Sequence, residues 1–482
     1  MEGAGLTTVA GPPVPDLMGS LVPFPTRAAA ATRPREDAAF HAALRRQEAS
    51  EMSRRIRSAP PTAPFARDPG PARSVAADVP VTGDLLDLNV SVSCSVDDVR
   101  TGRVVYVSEN AVVVADTANP DGLTAADYAH FGVTFDTLIH PVSVEHFGAP
   151  TDMDDNGRSI LFFTRAVNEL TPPDADVYTA GFFWSGDLFP EEDTPRANAC
   201  PSGNQAEMFY LLTADPDGEA GMKFEADFIR TSGLATVAHE YQHLINASRR
   251  LWINDASTFE RPWLNEGLSH VAEELMFYAA AGLSPGANLT SDGLRDAPNG
   301  IAAFNAYMGR NFSNLAAYME APDTASLMGQ DRLATRGAAW SFLRYAADRS
   351  GRGDGAFFFD AVNGRAAGLE HLRQVLGEDP LPWMQAWSVA LYADDAVPGI
   401  APRHTLPSWN FRDLYPESSI EAFPLSVVAL GDAAAHDVSL LPGGAVFARF
   451  GIGYGERGTL HVEAGGGKEP PSTLRGTFLR TR

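Results

Sequence analysis

Residues 239–243 read His239-Glu240-Tyr241-Gln242-His243, and Trp263-Leu264-Asn265-Glu266-Gly267 follows a short distance on. On a helix, side chains four residues apart leave the same face about one turn from each other. Both imidazoles can therefore reach one Zn²⁺. Glu240, between them, would sit beside that metal, where a carboxylate can take a proton from water. Thr236-Val237-Ala238 upstream and Leu244-Ile245 downstream are apolar, so the motif is expected on a helix with a buried side. The second segment has its own helical period, with Leu268, Val271, Ala272 and Leu275 at i, i+3, i+4 and i+7. Glu266 stands near the start of that helix, and Glu273 two turns on along the same side. Two histidines, one glutamate and a water make a known catalytic zinc arrangement. A buried histidine pair of purely structural use would not call for the second segment.

The run His239-Glu240-Tyr241-Gln242-His243-Leu244-Ile245, followed by Trp263 through Leu275, resembles the hyicolysin family of secreted bacterial metallopeptidases. Residues 113–120, 150–157, 206–210 and 337–345 resemble segments of the same family, so the likeness covers roughly residues 80–395. It implies an α+β fold with a zincin-type catalytic domain, a mixed sheet plus a helical lobe that carries the H-E-x-x-H helix. It also implies zinc held by His239, His243 and Glu266, with Glu240 as general base. Glu273 is the rival third ligand; the Asn-Glu-Gly context and the family position favour Glu266. His270 and Glu273 would then orient a ligand imidazole. The oxyanion donor stays open among Tyr278, Tyr307, Tyr318, Tyr345 and Arg336. The implied substrate is a peptide or protein, cut internally, because the G-x-M-E-N segment that holds a free amine in aminopeptidases is absent. Two rivals stand beside this reading: a zincin-fold scaffold without catalysis, and a zinc hydrolase of another amide or ester.

Two cysteines occur, Cys94 and Cys200, neither in a C-x-x-C pattern. They are either one disulfide or two unrelated thiols. A pair with no remainder, beside a resemblance to secreted enzymes, favours the disulfide. Secretion or the cell envelope is the implied location, although residues 1–5 show neither the basic nor the apolar region of a signal peptide. Asp152-Met153-Asp154-Asp155-Asn156-Gly157 offers Asp152, Asp154 and Asn156 at positions 1, 3 and 5 of a calcium loop, with glycine at 6. Phe163 occupies position 12, where a bidentate glutamate is expected. Calcium and a metal-free acidic turn are both open.

A net charge of −24 argues against a nucleic-acid partner. No run of 18 apolar residues occurs, so no membrane span is expected. Nothing in the sequence addresses oligomeric state. Residues 1–77 are rich in Pro, Ala and Arg and carry net +3 against −27 for the remainder. They read as a disordered linker or pro-segment, with a polar helix allowed over 36–57. A sharper version has this basic arm folding across the acidic catalytic domain as an inhibitor. The catalytic domain is expected over 78–398, β-rich to 230 and helical from 231. Strands are read from about 78 to 145, notably 86–92, 104–107 and 111–115, and again at 160–163. Helices are expected at 235–250, 265–281, 301–319, 331–350 and 369–393, and a small C-terminal β region over 399–482.

Overall fold

The computed structural model describes residues 35–36, 38–57, 79–417, 422–431, 435–465 and 467–481. Where disorder is expected over 1–77, residues 35–36 and 38–57 are ordered, with the polar helix allowed over 36–57 present: they form a strand β1 (Arg35–Glu36) and a helix α1 (Ala38–Gln47). One wide turn carries the helix on through Glu48–Met52 into Ser53–Arg55. The rest of 1–77 lies outside the described residues. His41, Leu44, Arg45 and Met52 are buried against the remainder of the chain, which explains the departure: a helix too polar to stand alone is held by tertiary packing.

The β-rich runs form β2 (Leu85–Asn89), β3 (Val99–Val107), β4 (Ala111–Asp116) and β5 (Ser159–Phe163). Between β4 and β5 the expected strands give way to helix: α2 (Ala125–Thr134) runs through a wide turn into α3 (His140–Phe147). Thr124 and Asp127 close a capping box at its start. Tyr128, Phe131, Phe135 and Ile139 are buried at three- and four-residue spacing, a helical period that the β-branched residues nearby disguised. The short strands β6 (Val177–Tyr178) and β7 (Gly181–Phe182) and then β8 (Met208–Leu211) follow. The six-stranded sheet has the order β2-β3-β4-β5-β8-β7. β4, β5 and β8 run parallel, the other neighbours antiparallel, and β7 is the edge strand beside β8, Phe182 opposite Tyr210. β1 pairs in parallel with β6. Cys94, after β2, is joined to Cys200, before β8, by a disulfide with Cα atoms 4.5 Å apart.

The long helix α4 (Ala226–Ser248) packs on β8 and β7 and, on its other side, against α5 (Pro262–Ala281). Leu268, Val271, Ala272 and Leu275 of α5 are all buried, the two leucines and the valine each contributing roughly 1.5–3 kcal/mol. Around them stand α6 (Gly300–Tyr307), α7 (Gly309–Glu320), α8 (Leu333–Ser350), α9 (Asp354–Val362), α10 (Leu369–Leu376) and α11 (Pro380–Ala393). The single helix expected over 301–319 breaks at Met308, and that over 369–393 breaks before Pro380, which starts a new helix as proline does at a first turn. α7 and α8 touch closely: a Cβ on Gly337 would lie 2.2 Å from the backbone of Asn314 and Leu315. The C-terminal region also departs from expectation. Helix α12 (Phe411–Glu417) belongs to the helical lobe, with Trp409 packed against Phe277, Tyr278 and Phe312. Among the described residues beyond it, β structure is limited to the parallel two-residue strands β9 (Val428–Ala429) and β10 (Ala448–Arg449) and one isolated bridge. No helix among the described residues is long and apolar enough to cross a membrane.

Candidate metal centre

α4 carries His239, Glu240 and His243, and α5 carries Glu266, His270 and Glu273. All six side chains are at most 1% exposed, because sheet, helical lobe and α1 close over the facing sides of the two helices. His239 Nε2 lies 3.4 Å from Glu266 Oε2, and His243 Nε2 lies 3.5 Å from Glu266 Oε1. One carboxylate thus faces both imidazoles. Those four atoms are buried, yet none forms a hydrogen bond of acceptable geometry. Leaving the two imidazole nitrogens so costs roughly 1–3 kcal/mol apiece. A divalent cation among them would satisfy all four, and two imidazoles with a carboxylate suit zinc. His239, His243 and Glu266 each offer a ligand atom within 4.8 Å of the others.

The opposite ring nitrogens are tied down. His239 Nδ1 is 2.8 Å from Glu273 Oε1, and His243 Nδ1 is 3.2 Å from Asn265 Oδ1 and 3.0 Å from Ser269 Oγ. Ser269 Oγ donates to Gln242 Oε1, so toward His243 it accepts. A carboxylate and a carbonyl oxygen therefore put the proton on each Nδ1, turning the lone pair of Nε2 toward Glu266 when the rings are neutral. His270 stands beside Glu273, Nδ1 to Oε1 3.2 Å, with its ring 4.9 Å from that of His239. His239, His270 and Glu273 make a second group close enough for an ion, but Glu273 is engaged there in orienting His239.

Arg336, at the start of α8, extends Nη1 to 3.2 Å from Glu266 Oε2 and is itself held by Asp331 at 2.7 and 2.9 Å. Burial alone would raise the Glu266 pKa, but Arg336 and the two histidines outweigh it and hold the carboxyl well below the usual range. Burial likewise opposes charge on His239, yet Glu266 and Glu273 push it up to about 10. His243 is pushed down to about 3 by burial, with Arg45 adding to it. Burial would raise Glu273 too, but His270 and Arg310 bring it down to about 2.

Glu240 Oε2 accepts from the Phe183 backbone N–H at 2.9 Å, directly after edge strand β7. Asn265, Ser269, Asp331 and this N–H are the partners that sequence reasoning missed. Asn265 and Ser269 lie within the quoted motif and differ from surface residues only through the register of α5 against α4. Of the oxyanion candidates, Tyr345 donates to the Arg403 carbonyl, and Tyr278 and Tyr318 pack on Trp409 and Trp387. Tyr307 is buried in α6. Arg336 alone among the five touches a residue of the centre described here.

The acidic turn lies elsewhere. Asp152 accepts from Gly157 N, Asp154 from Asn156 N and Nδ2, and Asn156 Oδ1 from Arg158 N. These bonds close the turn by themselves, one of the two readings open from the sequence. Glu207 gathers with Asp152 and Asp154, so a nearby acid is at hand for the carboxylate that the calcium reading lacks at position 12. Burial pushes Glu207 up to about 8 and Asp154 up to about 6.

No known protein-family profile matches the chain. A stretch of 153 residues is 28% identical to the neutral metalloprotease ShpI of Staphylococcus hyicus, covering 32% of this chain and 32% of that protein. The chain thus matches about a third of the length of that relative. The likeness points to metalloproteases as a class and goes no finer.

Proposed function

We propose that the chain is a zinc metallopeptidase of the hyicolysin-like, zincin type that cleaves internal peptide bonds. His239, His243 and Glu266 are its metal ligands and Glu240 its general base. The observation that carries this reading is the convergence of two imidazole nitrogens and one carboxylate, all buried and without hydrogen bonds, beside Glu240. Zinc, when bound, supplies a Lewis acid for the scissile carbonyl and for water. Glu240 takes the proton of the attacking water and passes it to the leaving amine. The Phe183 N–H fixes the rotation of the Glu240 carboxylate during that transfer. Glu273, Asn265 and Ser269 hold the ligand rings in the tautomer that binding needs. Internal cleavage is supported by the absence of an amine-holding G-x-M-E-N segment. Export is supported by the Cys94–Cys200 disulfide, a bond that persists in oxidising compartments.

The test is mass spectrometry of a broad peptide library incubated with the zinc-loaded protein, with and without a chelator. New internal termini are expected, and none after chelation. Glu240→Gln should keep its zinc and lose at least about 10²-fold in turnover. Zinc-loaded protein that cuts no peptide would leave a scaffold or a hydrolase of other bonds.

A further inference from the structure

Residues 35–57 do more than border the centre; they lie across it. Arg45, buried on α1, places Nε 3.7 Å from Glu266 Oε1. Its Nη2 donates to the Phe183 carbonyl at 3.3 Å, and its Nη1 pairs with Glu48 at 2.9 Å. Phe183 is the residue whose N–H holds Glu240, so the strap grips the same residue that positions the base. Edge strand β7 pairs with β8 on one side, and an extended peptide could add to its other edge. There the strap intervenes through Arg45 on the Phe183 carbonyl, while the Phe40 ring packs 5.3 Å from that of Phe182 on the face of the strand.

The strap is anchored on both sides of Arg45. Upstream, β1 pairs with β6. Downstream, Gln47 donates to the Val92 carbonyl at 2.8 Å, and Met52 is buried with its sulfur 4.0 Å from Cys94 Sγ. Ile56 then forms an antiparallel bridge with Ala197. Charge favours the same seating, because residues 35–57 carry net +2 against −26 for the rest of the chain. A guanidinium over a prospective ligand carboxylate, with a neighbouring backbone carbonyl already taken, stands in the way of a substrate backbone approaching Glu240.

We propose that residues 35–57 are an autoinhibitory strap with Arg45 as its plug, which competes with substrate for the centre and holds activity down until the strap is displaced. The proposal rests on the metallopeptidase reading above. Its test uses the full chain loaded with zinc and carrying Arg45→Glu, which sets a carboxylate against Glu266, with Arg45→Lys as the conservative control. In a Glu240→Gln background, which prevents self-cleavage, calorimetry measures binding of a peptide hydroxamate. With Glu240 intact, kcat/KM is measured on the cleaved peptides. Arg45→Glu should bind the hydroxamate at least about tenfold tighter and raise kcat/KM by about as much, with Arg45→Lys close to the parent. Hydrogen exchange should show residues 38–57 released while α4 and α5 stay protected. If α4 and α5 lose protection the variant has unfolded, and Phe40→Ala, which loosens the strap at its rim, should give a smaller gain in the same direction. Unchanged or weaker hydroxamate binding in the folded variants would overturn the strap and leave the peptidase reading standing. A protein that takes up no zinc would end that reading first, and the strap with it.

Discussion

Glu266 and Glu273 are both buried carboxylates on one helix, two turns apart, yet they face different nitrogens. Glu266 faces the Nε2 atoms of both histidines, whereas Glu273 binds Nδ1 of His239. Their removal should therefore differ in kind. Glu266→Ala should leave the purified protein largely without zinc. Glu273→Ala should keep a zinc site weakened by about 10- to 100-fold, the usual loss when a partner behind a ligand is removed. Metal analysis after dialysis against graded chelator separates the two, and the reverse order would make Glu273 the ligand. Arg336 belongs to the same balance. With Asp331 it forms a fully buried charge network, in which removing one partner typically costs about 3–5 kcal/mol.

At the scale of elements, the centre depends on how closely three helices approach. Gly267 of α5 leaves room for α8: a Cβ there would meet that of Ala339 at 2.8 Å. Gly337 does the same between α8 and α7, where the obstacle would be backbone and cannot move aside as a side chain can. Gly337→Ala should push α8 off α7 at a cost of about 1–3 kcal/mol. Because Arg336 is the preceding residue, the same change should also weaken zinc binding. Thermal unfolding with a zinc titration checks both effects, and an unaltered variant would mean that the helices separate without strain.

Across the whole molecule, one disulfide ties the region after β2 to the segment before β8, on which the strap's Met52 also rests. It closes a loop of 106 residues, so breaking it frees a long stretch of the unfolded chain. Cys94→Ser with Cys200→Ser should lower stability by about 2–4 kcal/mol, read from urea unfolding. Loss of strap protection in hydrogen exchange should accompany it. Equal midpoints for parent and double variant would show that the sheet holds this region unaided.

The residues of the centre were legible because their signal is local: i, i+4 histidines and an i, i+3, i+4, i+7 stripe follow from helix geometry whatever surrounds them. The hairpin of β3 and β4 was legible for the same reason, through β-branched runs with a turn between. The helix over 125–147 was also written locally, in its capping box and aromatic spacing, but valines nearby spoke for strand. What the sequence could not show are pairings between distant segments. Asp331 with Arg336 and Glu266, the Phe183 N–H on Glu240, and Arg45 over the centre each depend on which face of an element meets which neighbour. Sheet order and helix packing settle that, since contact between residues far apart in the chain is paid for by burial of the whole core and leaves no periodic trace in either segment alone.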